Sequence, residues 1–319
     1  MEIRTSKMEI KRYESSLKPL WDDFVEVSRQ GTFLLKRDYM DYHADRFADF
    51  SLMAFDGGKL KAVLPANRRG DEVFSHQGLT YGGWLTPMKG FDGSAMLGVW
   101  DAMMEFFKAE GIVRLHYKTI PWIYARCGAD DDRYALFRWG ARMETCQVSS
   151  VINLREPMGF DSNARRNAAK ARREGVAVAE SGLFCVYWPL LTEVLLSCHN
   201  VNPVHTLDEI ELLASRFPKN VRLYMATDAD GEPLAGVVMY YSEKVAHAQY
   251  IASSEHGKRV GALALLFEEL ICSCEGVEYF DFGISCEQGG AVLNSGLLRQ
   301  KSGFGGRGVT YESFVVDVP

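Results

Sequence analysis

"MAFDGGKLKAVL" at residues 53–64 and "MATDADGEPLAGVV" at residues 225–238 describe one object twice: an extended apolar segment, an Asp/Gly turn, and a second extended apolar segment. Apolar runs joined by such a turn predict a β-hairpin. Each hairpin has a later companion. "EGIVRLHYK" (110–118) parallels "EGVEYFDFG" (275–283), with Glu-Gly closing a helix and a period-two strand following it. The copies are set apart by nearly the same length of chain, so a unit of hairpin, strand, helix and strand is expected to occur twice.

The helix of the first copy reads "SAMLGVWDAMMEFFKAEG", with Met96, Val99, Trp100, Met103 and Phe107 on one stripe. The helix of the second reads "GALALLFEELICSCEG", with Leu263, Leu266, Phe267 and Leu270 sharing a face. Both stripes are read as core. Between the copies, Pro157 and Gly159 punctuate the chain, and Asp161 or Ser162 is placed to cap a helix that Gly175 ends. The expected boundary is near residue 158, giving domains 1–158 and 159–319 of an α/β protein.

At 319 residues, 47% hydrophobic and 24% charged, the chain is longer than one core usually supports. A net charge of -6 argues against a surface built wholly for nucleic acid and leaves room for a local basic patch. The first thirty residues show no apolar stretch with a small-residue cleavage site, and no run approaches the length of a membrane span, so a cytoplasmic protein is expected. Seven cysteines form no CxxC pair, which suits reduced thiols.

"KSGFGGRG" (301–308) holds a complete GxGxxG in Gly303, Gly305 and Gly308. A dinucleotide site needs a helix after the glycines, whereas the β-branched run "VTYESFVVDVP" follows them. A P-loop places Lys-Ser after its glycines, and here Lys301 and Ser302 come before them. Some other chemistry is expected to want a lysine beside a flexible glycine turn.

Hairpin, long strand, turn into a helix and strand is the order of the GNAT acyltransferase unit. The second half resembles the Fem family of nonribosomal peptidyl transferases, built from two GNAT-like domains, and its FemAB-like acyltransferase relatives. The resemblance rests on "QYIASSEHGKR" (249–259), "YFDFGIS" (279–285) and "NSGLLRQKSGFGG" (294–306), with Asn, Gly-Leu and Lys-x-Gly-Phe in that family's order. The helix "NARRNAAKARREG" and, in the first half, "GTFLLKRDYM" add to it. It implies two tandem GNAT-like domains, each a mixed, mostly antiparallel sheet flanked by helices. It also implies transfer of an acyl or aminoacyl group from acyl-CoA or aminoacyl-tRNA to an amine on a small or nucleotide-linked acceptor. One departure concerns the donor. GNAT domains that bind CoA carry (Q/R)xxGx(G/A), whose backbone N–H groups hold a pyrophosphate; here the turn is "HGKRVGAL", with Lys258, Arg259 and Gly261 as the donor-binding candidates.

By the resemblance, Lys301 lies at the reaction centre, where a cation stabilises an oxyanion or binds an anion; without it, a solvated loop lysine is expected. Asn294, Gly303 and Phe304 belong to the same motif as substrate-binding candidates. Asp281 lies opposite Phe280 and Phe282 on its strand and either serves the amine nucleophile or satisfies backbone N–H groups. Tyr250 and Tyr81 are candidates to protonate a leaving group, the alternative being core tyrosines with a satisfied hydroxyl. Asn163, Arg166, Lys170 and Arg173 follow one helical face, as phosphate ligands or as a solvated row. Lys36 and Arg37 are a second phosphate-binding pair or plain surface.

Asp38, Asp41, Asp45 and Asp49 recur at helical spacing as one acidic face, and no metal site is expected. Three functions stay open: an acyltransferase using acyl-CoA, an aminoacyl-tRNA-dependent peptidyl transferase acting on a peptidoglycan precursor, and an inactive GNAT pair serving as a scaffold.

Overall fold

Both expected hairpins form. The computed structural model describes residues 8–319 and divides into two units, one of residues 8–147 with 310–319 and one of residues 148–309. In unit 1, strand β1 (Glu9–Arg12), helices α1 (Lys18–Val27) and α2 (Arg37–Met40) and strand β2 (Ala48–Asp49) precede the hairpin of β3 (Leu52–Asp56) and β4 (Lys59–Leu64). Strands β1, β3 and β4 make an antiparallel sheet of their own. Strands β5 (Asn67–Arg69) and β6 (Glu72–Phe74) lead to α3 (Gly93–Ala109) and β7 (Arg114–Lys118), and then α4 (Asp131–Arg138). β6 and β7 pair in parallel, Val73 opposite Leu115, so α3 is the crossover that a parallel pair requires.

Helix α3 starts where the Asp92 carboxylate accepts from the N–H groups of Ser94 and Ala95, both at 3.0 Å. Its expected stripe is the core: Met96, Val99, Trp100, Met103 and Phe107 are fully buried with Leu52, Leu64 and Leu115. The expected acidic helical face over residues 38–49 does not exist. Helix α2 stops at Met40, a 3-10 turn follows, and the chain is extended by Ala48. Asp49 is held instead on the extended strand, where it pairs with the buried guanidinium of Arg37, which also pairs with Asp41 at 2.5 Å and stacks 4.0 Å from the ring of Tyr13.

Strand β8 (Arg142–Asn153) carries the chain into unit 2, which contains α5 (Ser162–Arg173), β9 (Ala177–Ser181), α6 (Phe184–His199), α7 (Leu207–Arg216), β10 (Val221–Thr227), β11 (Pro233–Tyr241), β12 (Val245–Ser253), α8 (Glu255–Val260), α9 (Ala262–Ser273) and β13 (Tyr279–Ile284). A small hairpin of β14 (Cys286–Glu287) and β15 (Val292–Leu293) comes next, then α10 (Ser295–Gly303) and β16 (Arg307–Asp317). Within unit 2 the strand order is β8-β13-β12-β11-β10-β9, antiparallel except for β12 and β13. The expected boundary near residue 158 falls inside this unit, because Pro157 and Gly159 punctuate a turn reached only after β8 has paired with β13. Residues 313–317 of β16 pair with β7 and so belong to unit 1.

On one face of this sheet, α9 places Leu266, Phe267 and Leu270 against Phe280, Phe282, Val237 and Met239. On the other, α6 seats Tyr187 over Gly236, whose missing Cβ would come within 2.5 Å of the ring. Helix α5 is capped by Asp161, whose carboxylate accepts from Ala164 N at 2.7 Å and whose own N–H donates to Gly303 O at 2.7 Å. A Cβ on Gly303 would lie 2.8 Å from that carboxylate, so α5 and the end of α10 meet with no room for a side chain. Asp161→Ala is expected to lower the unfolding free energy by about 1 kcal/mol, the usual cost of a lost cap. Gly303→Ala should cost a similar amount by displacing the same carboxylate, and urea denaturation of the double variant should show a loss smaller than the sum.

Candidate functional site

Strands β12 and β13 run in register for three rungs only, Val245 with Tyr279, Ala246 with Phe280 and His247 with Asp281. Beyond that last rung β12 continues to Ser253 and β13 to Ile284 without pairing to one another, so the parallel ladder forks. Two irregularities border the fork. On β12, the ladder to β11 shifts between Val238 and Met239, which leaves Gln249 as an extra residue. On β13, the ladder to β8 shifts after Asp281, where Gly283 has φ +76°. Bulges disrupt a ladder locally and leave backbone groups outside it.

Asp281 stands at the base of the fork with no exposed surface. A buried carboxylate must be paired or hydrogen-bonded, and this one is met from three sides. Ser149 Oγ and Gly283 N (2.9 Å) donate to Oδ1, and His247 Nδ1 lies 2.9 Å from Oδ2. The expected alternation holds: Phe280 and Phe282 face α9, and Asp281 faces away.

Lys301 is 5% exposed, and its ammonium donates to the carbonyls of Gly283 and Ile284, both at 2.8 Å. It sits in the last turn of α10 and not in a glycine turn, because Asn294 caps that helix through Leu297 N (3.0 Å) and helical bonding runs on through Lys301. Burial lowers its pKa from the usual lysine value to about 8, against the raising influence of Asp281 and Cys286. Between pH 8 and 10.5 the unfolded chain therefore holds a proton that the folded chain has released. Stability of the wild type relative to Lys301→Met is expected to rise with pH across that window, by up to about 3 kcal/mol. Paired denaturation curves at pH 7 and 10 check the sign.

Tyr250 is buried with its hydroxyl 2.6 Å from His205 Nδ1 and its ring 5.3 Å from Trp188, and burial pushes its pKa up to about 12. The shift at Gln249 puts Tyr250 and His247 on the same side of the sheet, since Val238 faces Tyr250 while Met239 faces Ala248. Phe304 is core, in contact with Phe160, Phe267 and Phe282. Asn163 accepts from Arg166 at 2.8 Å, and Lys170 donates to Arg259 O at 2.6 Å. A cavity of about 490 Å³ opens among Asp161, Asn163, Asn167, Ala264, Arg299 and Gly303.

The turn expected to bind the donor is helical. Residues 255–260 form α8, capped by Ser254, and the N–H groups of Gly257, Lys258 and Gly261 are all taken by Ser254 or by the helix itself. Helix α5 rests on the turn: a Cβ on Gly261 would come within 2.5 Å of Asn167 O. Lys258 pairs with Glu255 at 2.7 Å.

In unit 1, Tyr81 is buried with its hydroxyl 3.1 Å from Thr32 Oγ1, Lys36 pairs with Glu26, and Arg37 is engaged as described. The corresponding parallel pair there does not open. Ser75 N donates to His116 O and Lys118 N to Ser75 Oγ, so the chain beyond β6 stays bonded to β7. Tyr117, donating to Asp132 at 2.8 Å and accepting from Trp84 N at 2.7 Å, fills the space. His247 was missed in the sequence; the signal available was a titratable residue in the apolar strand "VAHAQY" whose β-helix-β partner carries Asp281.

Residues 162–290 match the family model described as an acetyltransferase (GNAT) domain. A comparison with curated proteins finds no match. Among solved structures, the chain is similar to FemX, at 11% identity and TM-score 0.67 over 96% of either chain. It is similar to L-PGS from Bacillus licheniformis, at 12% identity and TM-score 0.60 over 98% of this chain and 93% of that one. A tandem GNAT protein from the clavulanic acid biosynthesis pathway aligns at 10% identity and TM-score 0.51, over 98% and 99%. Residues 162–290 thus carry the match to an acetyltransferase (GNAT) domain, and the fold of the chain is that of tandem GNAT proteins. More particularly, the chain has the FemAB-like arrangement of tandem GNAT folds.

Proposed function

We propose that unit 2 transfers an acyl group from a thioester, with acyl-CoA the donor, to the amine of a small or nucleotide-linked acceptor at the β12–β13 fork. The observation that carries this reading is the fork itself, with a buried ammonium beside it. An activated acyl donor needs positioning and stabilisation of the oxyanion that forms when the amine attacks. Backbone groups at Gln249 and the Lys301 cation supply both. The thioester is favoured by the acetyltransferase domain model that residues 162–290 match.

A second reading, an aminoacyl-tRNA donor, is favoured by the wound turn at 254–261. A pyrophosphate cradle depends on free N–H groups, and those of Gly257, Lys258 and Gly261 are engaged. In the first reading the nucleotide end of the donor is held elsewhere. In the second it needs no cradle, and the exposed Arg173 and Arg259 are available to phosphates. Site roles for Lys301, Asp281 and Tyr250 and acceptor contacts through Asn163 and Asn294 are part of the proposal.

Purified protein assayed with acyl-CoAs (thiol release) and with charged tRNA (label transfer), each with UDP-linked and simple amines, separates the readings. We expect turnover with one donor class and a loss of about 10²-fold or more in kcat for Lys301→Ala, the scale of a lost oxyanion donor. Turnover only with charged tRNA reverses the donor assignment. Inertness with every pair leaves the scaffold.

A further inference from the structure

His247 is built like a base. It sits on β12 at the last rung before the fork, directly across from Asp281. The carboxylate accepts at 2.9 Å from Nδ1, which places a proton on that nitrogen and leaves Nε2 as the ring nitrogen able to take one up. Nε2 has no hydrogen-bond partner among the described residues, and the side chain keeps 12% of its surface exposed. Gly283, at φ +76°, lies against the ring, where a Cβ would stand 3.5 Å from Cε1. Asp281 is itself locked by Ser149 and Gly283, which leaves it no freedom to turn away from the ring.

An unpaired polar atom sealed in a core is costly, but Nε2 of His247 lies on the exposed part of a side chain that keeps 12% of its surface and is within reach of an incoming amine. Here one nitrogen is held by a buried carboxylate and the other is left open beside the fork. We propose that His247 is the general base of the acyl transfer and that Asp281 is its positioning residue. This rests on the transfer reading given above and adds to it the group that moves the proton.

The step balances without any co-reactant. The neutral amine nitrogen attacks the donor carbonyl carbon, the new C–N bond forms, and the carbonyl π pair moves to oxygen. Nε2 takes a proton from the positively charged nitrogen. The oxyanion collapses, the carbon–sulfur or carbon–oxygen bond to the donor breaks, and the imidazolium returns its proton to the departing thiolate or alkoxide. The ring ends as it began. Charged and titratable groups near it are Asp281 on β13, Lys301 on α10 acting on Asp281, Cys286 beside Lys301, Tyr240 opposite on β11, and Tyr250 with His205 further along β12; β8 contributes only the Ser149 hydroxyl.

The test compares wild type, His247→Gln, His247→Gly and Asp281→Asn with the donor and amine that the wild type turns over. We expect His247→Gln to lose about 10²- to 10⁴-fold in kcat, with KM for both substrates nearly unchanged. The fall in rate on the acidic side of the wild-type pH profile should be absent in His247→Gln. Added imidazole should restore part of the rate to His247→Gly. Asp281→Asn should lower kcat while keeping KM, and if it fails to fold, the His247 variants decide alone. Nitrogen-15 NMR of the folded wild type should place the ring proton on Nδ1. A His247→Gln enzyme with wild-type kcat and an unaltered acidic limb overturns the base assignment and leaves the transfer reading standing. A wild type inert with every donor overturns both.

Discussion

A carboxylate with no exposed surface has to be met on every side, and that requirement organises the centre of unit 2. Asp281 takes a hydroxyl from β8, a ring nitrogen from β12 and a backbone N–H from its own strand. The last of these requires β13 to turn back at Gly283, and that turn ends the ladder to β8 in register and aims the carbonyls of Gly283 and Ile284 at Lys301. The fork, the buried ammonium and the oriented imidazole are thus one arrangement.

The two units show the same strand, helix and parallel strand put to different ends. In unit 2 the pair opens beyond His247 and Asp281. In unit 1 Ser75, Trp84 and Tyr117 keep the equivalent place closed, and the Lys118 ammonium is held by the carbonyls of His76 (3.2 Å) and Leu79 (2.7 Å). Burial lowers the Lys118 pKa to about 8, as it does for Lys301, so a perturbed lysine alone does not mark a reaction centre. What distinguishes Lys301 is the opened ladder beside it.

The elements that could be read from the sequence depend on near neighbours. The hairpins follow from turn residues between apolar runs, the α3 stripe from helical period, and the α5 start from Asp161. Lys301 was noticed through a motif, yet its glycines suggested a turn; capping by Asn294, seven residues away, makes it helical. His247 and Asp281 meet only because a helical crossover returns β13 beside β12, and no local spacing reveals that. The turn at 254–261 closes on itself through Ser254 and its own helix, and α5, from ninety-odd residues upstream, covers it with Asn167 over Gly261. The acidic face failed at its far end: Asp41 pairs with Arg37 as a helix would allow, but Asp49 reaches the same guanidinium from an extended strand, a contact that no local spacing reveals.

Unit 1 is discontinuous along the chain, whereas unit 2 is a single stretch of residues 148–309. β7 receives its antiparallel partner only from residues 313–317. The sheet of unit 1 therefore closes on a strand that lies beyond the whole of unit 2 in sequence, a long loop to close, while the contacts of unit 2 lie within one stretch. Until that strand arrives, the edge of β7 stands open to any other strand able to pair with it.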